Sequence, residues 1–312
     1  MAKTWKKAKA KKKPVLRYGT GELYGFDFGA LSPDRIRTLA NSSFKSQPCP
    51  FRVGSACNKA GGVCTLRQYA KTGSAVSVVN ETLLVATCPA RFYDAGVAMS
   101  WVGHTLLGTD TPLVLTELPF LMATTPGSEA DPSTVGKIDM VLVHPDTSTL
   151  RWCALEVQAV YFSGASMSKD FNTMKKWKGP GLIFPQGIRR PDFRSSGPKR
   201  LMPQLQIKVP TISRWGKKMA VVVDLPFWES LGSITEVDHV SNCDIAWFVM
   251  KYRHNGTRFC MEQAGLHLTT LERAVEGLTG GKPTSLSDFE KALLAKLADA
   301  RLRSGQASPS HG

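Results

Sequence analysis

Two acids and an amide stand at spacings suited to metal-assisted chemistry. Asp139 lies in the apolar run 137–144, and Glu156 and Gln158 lie in the run 152–158. Between them sit Pro145, Asp146, Thr147, Ser148 and Thr149, a cluster of turn formers. A regular hairpin centred between Thr147 and Ser148 sets Asp139 opposite Glu156 and Lys137 opposite Gln158. Opposed residues share a sheet face, with Cβ atoms about 4.5–5.5 Å apart, and alternation adds Gln158 to the face of Glu156. The other face then reads Ile138, Met140, Leu142, Cys153, Leu155 and Val157, an apolar layer. Two facing carboxylates among apolar strands repel and lose hydration, which raises at least one pKa unless a cation intervenes. A hard divalent ion such as Mg2+ prefers such oxygens and keeps waters for chemistry, and it can support hydrolysis of a phosphodiester. The competing reading is a solvated cross-strand pair with one acid neutralised by Lys137.

A second group suits a softer metal. Cys49, Cys57, Cys64 and Cys88 follow a C-x7-C-x6-C-x23-C spacing, without the tight pairs of ordinary zinc ribbons. They fall in a Gly- and Pro-rich stretch whose one clear strand candidate is 75–85, so a staple would help it fold. Four thiolates suit tetrahedral zinc or iron, and such a site can supply on the order of 10 kcal/mol to folding. The alternative is that they are small buried apolar residues. Cys153, Cys243 and Cys260, in or near strand candidates, read as core residues.

The elements that must position these groups form a mixed α/β pattern. Strands are expected at 112–122, 137–144, 152–162, 219–224 and 244–252. Helices are expected from Asp34, over 92–107, near 202–215, over 266–278, and from a capping box at Ser287 and Glu290 to about Arg303. This divides the chain into a basic arm at 1–16, a four-cysteine region at 17–91, a core at 92–255 and C-terminal helices at 256–312.

Composition narrows the partners. The chain has 312 residues, 40 Lys+Arg against 25 Asp+Glu, and a formal charge of +15. Eight basic residues and no acid precede Tyr18, and the remainder is still basic. That balance fits a polyanion, nucleic acid or an acidic membrane surface. Arg189, Arg190, Arg194, Lys199 and Arg200 crowd one loop and are candidates for phosphate contact, with a solvated loop as the alternative. Lys217 and Lys218 read as exposed residues at a strand entry. No apolar stretch reaches the length of a membrane span, and no apolar segment follows the basic N-terminus as a secretory signal requires. Seven cysteines without such a signal argue against a disulfide framework. A cytoplasmic protein, intracellular and prokaryotic, is the expectation.

Asp139, a strand–turn–strand, then Glu156-Val157-Gln158 resembles the signature of PD-(D/E)xK nucleases, with Gln in place of the usual Lys. Leu155-Glu156-Val157-Gln158 followed by Ser163-Gly164 resembles the variant in relatives of the restriction enzyme NotI. The strings around Cys49-Pro50-Phe51, Cys57-Asn58-Lys59, Gly62-Val63-Cys64 and Cys88-Pro89-Ala90-Arg91 are similar to that family's metal domain. The likeness spans roughly 48–164 and extends to 203–224. It implies a restriction-endonuclease-like α/β (α+β) fold, a mixed sheet flanked by helices, with a small four-cysteine metal domain on the N-terminal side. It further implies Mg2+ held by Asp139 and Glu156, with Gln158 positioning water and Glu117 as an additional acid. One structural iron, with zinc as the alternative, would sit on Cys49, Cys57, Cys64 and Cys88. The activity implied is that of a type II restriction endonuclease, a homodimer cutting double-stranded DNA at a GC-rich palindrome, with a cognate DNA methyltransferase left open. Two other readings stay in play: a less specific repair or phage-defence nuclease of the same fold, and a non-catalytic, metal-stapled DNA-binding protein.

Overall fold

The computed structural model describes residues 13–123, 133–280 and 284–305. Its larger sheet has six strands in the order β13-β12-β11-β8-β7-β6. These are β6 (Leu113–Ala123), β7 (Ser133–Val143), β8 (Trp152–Val157), β11 (Met219–Asp224), β12 (Ile245–His254) and β13 (Phe259–Thr269). β11 runs parallel to both β8 and β12, and the other neighbours are antiparallel. β11 reads Met-Ala-Val-Val-Val-Asp and is buried along its whole length, as a parallel strand covered on both faces must be.

The covering layers follow from helical spacing. Ala98, Met99 and Val102 of α2 (Val97–Leu107) pack on Met140, Leu142, Leu155, Val222 and Phe248. On the opposite face lie Leu205, Val209 and Ile212 of α5 (Met202–Arg214). These recur at i, i+4 and i+7 and meet Val141, Ala154, Val221 and Trp247. Burying each such side chain contributes about 1.5–3 kcal/mol, so α5 is held firmly over the sheet. Two shorter helices share that face, α6 (Leu225–Glu229) and α7 (Leu271–Thr279).

The N-terminal region builds its own antiparallel sheet from β1 (Val15–Leu23), β2 (Phe26–Asp27), β3 (Val63–Thr72), β4 (Ala75–Val78) and β5 (Val85–Ala86). Leu23, Tyr24, Phe28 and Leu66 form its core with α1 (Pro33–Asn41) and α3 (Ser168–Met174). The two sheets are tied by Val160 N–H to Ala86 O at 2.7 Å and Ala86 N–H to Asp224 Oδ2 at 2.6 Å. Burial pushes the Asp224 carboxyl up to about 7 against the pull of its N–H donors.

Several expectations change here. The arm's first twelve residues lie outside the described ones, and Val15 and Leu16 already belong to β1. The four-cysteine region is richer in strands than its sequence suggests, because inward charges disguise β1 and β3. Glu22 and Arg67 are both buried, and Arg67 is neutralised by Asp27 at 3.1 Å. Residues 259–269 are an edge strand of the larger sheet, so the sheet continues past the boundary at 255 and the helix expected over 266–278 begins at Leu271. The expected helix over 92–107 starts at Val97, after an irregular 3-10 stretch. The basic loop at 178–200 contains β10 (Arg189–Asp192), paired with β9 (Tyr161–Gly164), and the short α4 (Phe193–Ser196). The last helix, α8 (Leu286–Gly305), is capped by Ser285, whose Oγ accepts from Asp288 N–H, and not by Ser287.

Candidate active site

β7 and β8 form the hairpin the turn residues foretell. Ser148 N–H donates to Asp146 Oδ1 at 3.0 Å, an Asx turn, and His144 N–H to Arg151 O at 2.9 Å closes the ladder. Registered pairs are Val143 with Trp152, Leu142 with Cys153, Val141 with Ala154 and Met140 with Leu155. The register ends there, and just beyond it Asp139 and Glu156 meet at Lys208, whose ammonium contacts Glu156 Oε1 and lies 3.8 Å from Asp139 Oδ1. The face assignment slips just beyond. Ile138 packs with Val141 and Val143 on the α5 side instead of with Met140 and Leu142. The slip lies beside Glu117 on β6, whose backbone adopts a left-handed φ of 57°, a local distortion of the neighbouring strand.

The two acids sit in unlike surroundings. The Asp139 side chain is 61% exposed, whereas that of Glu156 is 3% exposed. Burial pushes Glu156 up to about 7; the Lys208 charge pulls it down, and Asp139 pushes it up again. Asp139 also lines a cleft of about 620 Å3, together with Gln158, Gln204 and Arg200 on one wall and Lys59 and Cys88 on the other. Gln158 is nearly buried, and its amide nitrogen donates to the carbonyl of Ala159. The site is therefore one concealed carboxyl beside one accessible acid that lines an open groove.

Lys208 was missed as a site residue. It projects from α5, is almost buried, donates to Glu156 Oε1 and lies 3.8 Å from Asp139 Oδ1. It also reaches Gln204 Oε1, one helical turn back, at 3.4 Å. Lys137, which the competing reading set against one of these acids, instead pairs with Glu117 at 2.9 Å in an exposed ion pair. That hydrogen bond, and then the Lys137 charge, hold Glu117 below the usual carboxylate range. Two hard oxygen donors, Asp139 on the cleft and Glu156 concealed beside it, kept together by a protein cation, are a donor set that fits a magnesium ion.

The family question is decided by a comparison of sequence. The model of the family described as restriction endonuclease NotI matches residues 35–261. The chain belongs to the NotI restriction endonuclease family. As a NotI-family enzyme it is a site-specific deoxyribonuclease acting on double-stranded DNA. The matched span takes in all four clustered cysteines and both acids of the hairpin. No curated protein matches the chain. Among the described residues, no helix is long and apolar enough to cross a membrane.

The four clustered cysteines converge in part. Cys64 and Cys88 pack with Phe51 and Ala90, and Cys49 lies against them. Burial raises the Cys57 thiol, and the nearby Cys88 and Cys49 add to that. Lys59 reaches among these thiols and donates to Thr87 O. Four thiols in one neighbourhood are the donor chemistry of a structural iron or zinc. Among the described residues, however, no three His, Cys, Asp or Glu side chains stand as a closed ligand set. Cys153 and Cys243 are core residues, as expected, while Cys260 is half-buried.

Of the loop cations, Arg190, Arg194, Lys199 and Arg200 are exposed, and Arg200 stacks over Tyr161 at 3.8 Å on the cleft wall. Arg189 is buried, bound to Asp170 and to the carbonyls of Tyr18, Ala165 and Ser166, and is spent on structure. Lys217 and Lys218 are half-buried instead of exposed, and Lys218 ties down Ser241 O and Cys243 O.

Proposed function

We propose that this restriction endonuclease is a Mg2+-dependent PD-(D/E)xK enzyme whose centre is Asp139, Glu156 and Gln158. The observation that carries this reading is the pairing register, which brings an accessible and a concealed carboxyl together beside an open cleft. Asp139 and Glu156 would hold the ion, which when bound supplies Lewis-acid stabilisation of the phosphodiester and of the attacking water. Glu156 gives up its proton on entering that role, since a carboxylate is the better ligand. Gln158, neutral and fixed beside them, orients the water by hydrogen bonding. The oxygen of that water bonds to phosphorus as one ester P–O bond breaks, and the departing oxygen takes up a proton. Glu117 is left out of this set because Lys137 engages it.

A GC-rich palindrome as the target, a homodimer placing one centre on each strand, and a cognate methyltransferase belong to the same reading. So does one structural iron, or zinc, on Cys49, Cys57, Cys64 and Cys88. It is supported by the donor set and stands apart from the chemical step. The decisive experiment incubates the protein and Mg2+ with a large defined DNA and sequences the fragment ends. Uniform ends at one palindromic sequence are expected, whereas a smear would favour the less specific nuclease and uncut DNA would refute the mechanism. Elemental analysis should find about one iron or zinc per chain, lost in Cys64→Ser.

A further inference from the structure

We propose that Lys208, reaching in from α5, is the lysine of this catalytic centre: it braces Glu156 with one N–H and offers another to the scissile phosphate. The inference rests on the nuclease reading above and adds a residue to it. Position 158 carries a neutral amide, so the hairpin itself brings no cation to its two acids. Lys137, the strand's own lysine, is turned away to Glu117.

Lys208 meets that need by geometry. Its ammonium has three N–H donors. Glu156 Oε1 takes one, and Gln204 Oε1, at 3.4 Å, is placed for a second. Asp139 Oδ1, at 3.8 Å, lies outside hydrogen-bond range, which leaves a third for an incoming oxygen. Asp139 and Gln204 both line the cleft, so that donor lies directly behind two of its lining side chains. The placement is rigid, because Leu205, Val209 and Ile212 fix α5 against the sheet. A buried amine is also costly unless paired, and the pairing here is to the proposed metal-holding acid itself.

A lysine that only balances the charge of Glu156 predicts different behaviour, which gives the test. The substrate is an oligoduplex carrying the site located by end sequencing. Lys208→Met should lower the single-turnover cleavage rate by about 10^2–10^3-fold, the range for losing one transition-state donor. Binding of the same duplex in Ca2+ should stay within about threefold. Lys208→Met combined with Gln158→Lys, which returns a lysine to the strand, should recover at least about tenfold over the single variant. Lys208→Gln stays polar but is too short to carry a donor to the phosphate, so it should be impaired like Lys208→Met and keeps the test decisive if the Met variant folds poorly. Cleavage within threefold of wild type by either single variant overturns the proposal. So does a double variant no faster than Lys208→Met, since a lysine returned to the acids' own strand would then fail to replace the lost donor. Wild-type protein that leaves DNA uncut with Mg2+ sinks the nuclease mechanism, and this role with it. Brisk wild-type cutting with an unimpaired Lys208 variant sinks this role alone.

Discussion

Glu22 and Asp94 close around Arg91 much as Asp139 and Glu156 close around Lys208, yet the two clusters serve opposite ends. Arg91 Nε donates to Glu22 Oε2 at 2.8 Å, Nη1 lies 3.2 Å from Asp94, and Nη2 donates to Phe259 O at 3.0 Å. Phe51 and Tyr252 cover the guanidinium at 4.6 and 5.1 Å, and all three charged side chains are buried. Burial alone would lower the Arg91 pKa, but its acidic and phenolic neighbours outweigh that and hold it charged. Arg258, at 3.2 Å from Asp94, adds a second cation there, whereas the Lys208 cluster has one cation for its two acids and leaves Asp139 largely in solvent. A planar fork suits a closed staple, and a compact ammonium suits a site that must exchange partners. Sealing, more than composition, separates a structural ion cluster from a working one.

The contrast can be broken most directly at the open cluster. Asp139→Ala and Glu156→Ala should each cut DNA about 10^4-fold more slowly, equivalent to roughly 5.5 kcal/mol of lost transition-state stabilisation. The thermal midpoint of Asp139→Ala should stay near wild type, because that side chain is largely in solvent, whereas Glu156→Ala leaves Lys208 buried without its partner and should melt lower. Gel-based cleavage and calorimetry read both quantities, and cutting at wild-type rate by both variants would end the case. Arg91→Met should do the reverse. It strands Glu22 in the interior, while Asp94 keeps Arg258 and the Met261 N–H, and should cost about 3–5 kcal/mol of stability in urea unfolding; a cost under about 1 kcal/mol would erase the distinction.

A subtler difference is in pH. Glu156 is raised to about 7 in the folded protein, so below that pH an entering divalent ion must displace a proton. Ca2+ affinity measured by titration calorimetry should rise by up to about tenfold per pH unit toward 7 and level off above it. The metal-free protein shows the opposite sign. The stability that the protonated Glu156 contributes is complete below its unfolded value near 4.5 and is lost as pH rises through about 7. A flat affinity profile from pH 5.5 to 8.5 would contradict the concealed acid. The smallest effect is expected at Glu117→Gln, less than about fivefold in cleavage rate, since it removes one exposed ion pair. A hundredfold loss there would draw Glu117 back into the metal-holding set.

The hairpin was legible because everything that fixes it is local. The turn residues, the alternation and the pairing register are written within twenty consecutive positions, 139–158. β11 and α5 were legible for the same reason, an unbroken apolar run and a helical stripe. Lys208 was not, because its partner Glu156 is 52 positions away and is met only through the crossover between parallel strands. β1 and β3 were hidden by Glu22 and Arg67, charges that a hydropathy pattern assigns to solvent and the fold pairs inside. β13 was mistaken because Leu266 and Leu268 continue into a genuine helical stripe at Leu271, Ala274 and Leu278. The slip at Ile138 adjoins a backbone distortion at Glu117 that no side-chain type announces.

The Arg91 staple also sets an order of events during synthesis. Its last two attachments, Phe259 O to Arg91 and Met261 N–H to Asp94, join positions 168 and 167 residues apart. A chain leaving the ribosome N-terminus first keeps that guanidinium short of partners until residue 261 has emerged. The cysteine-bearing region therefore locks onto β13 only after residue 261 has been made.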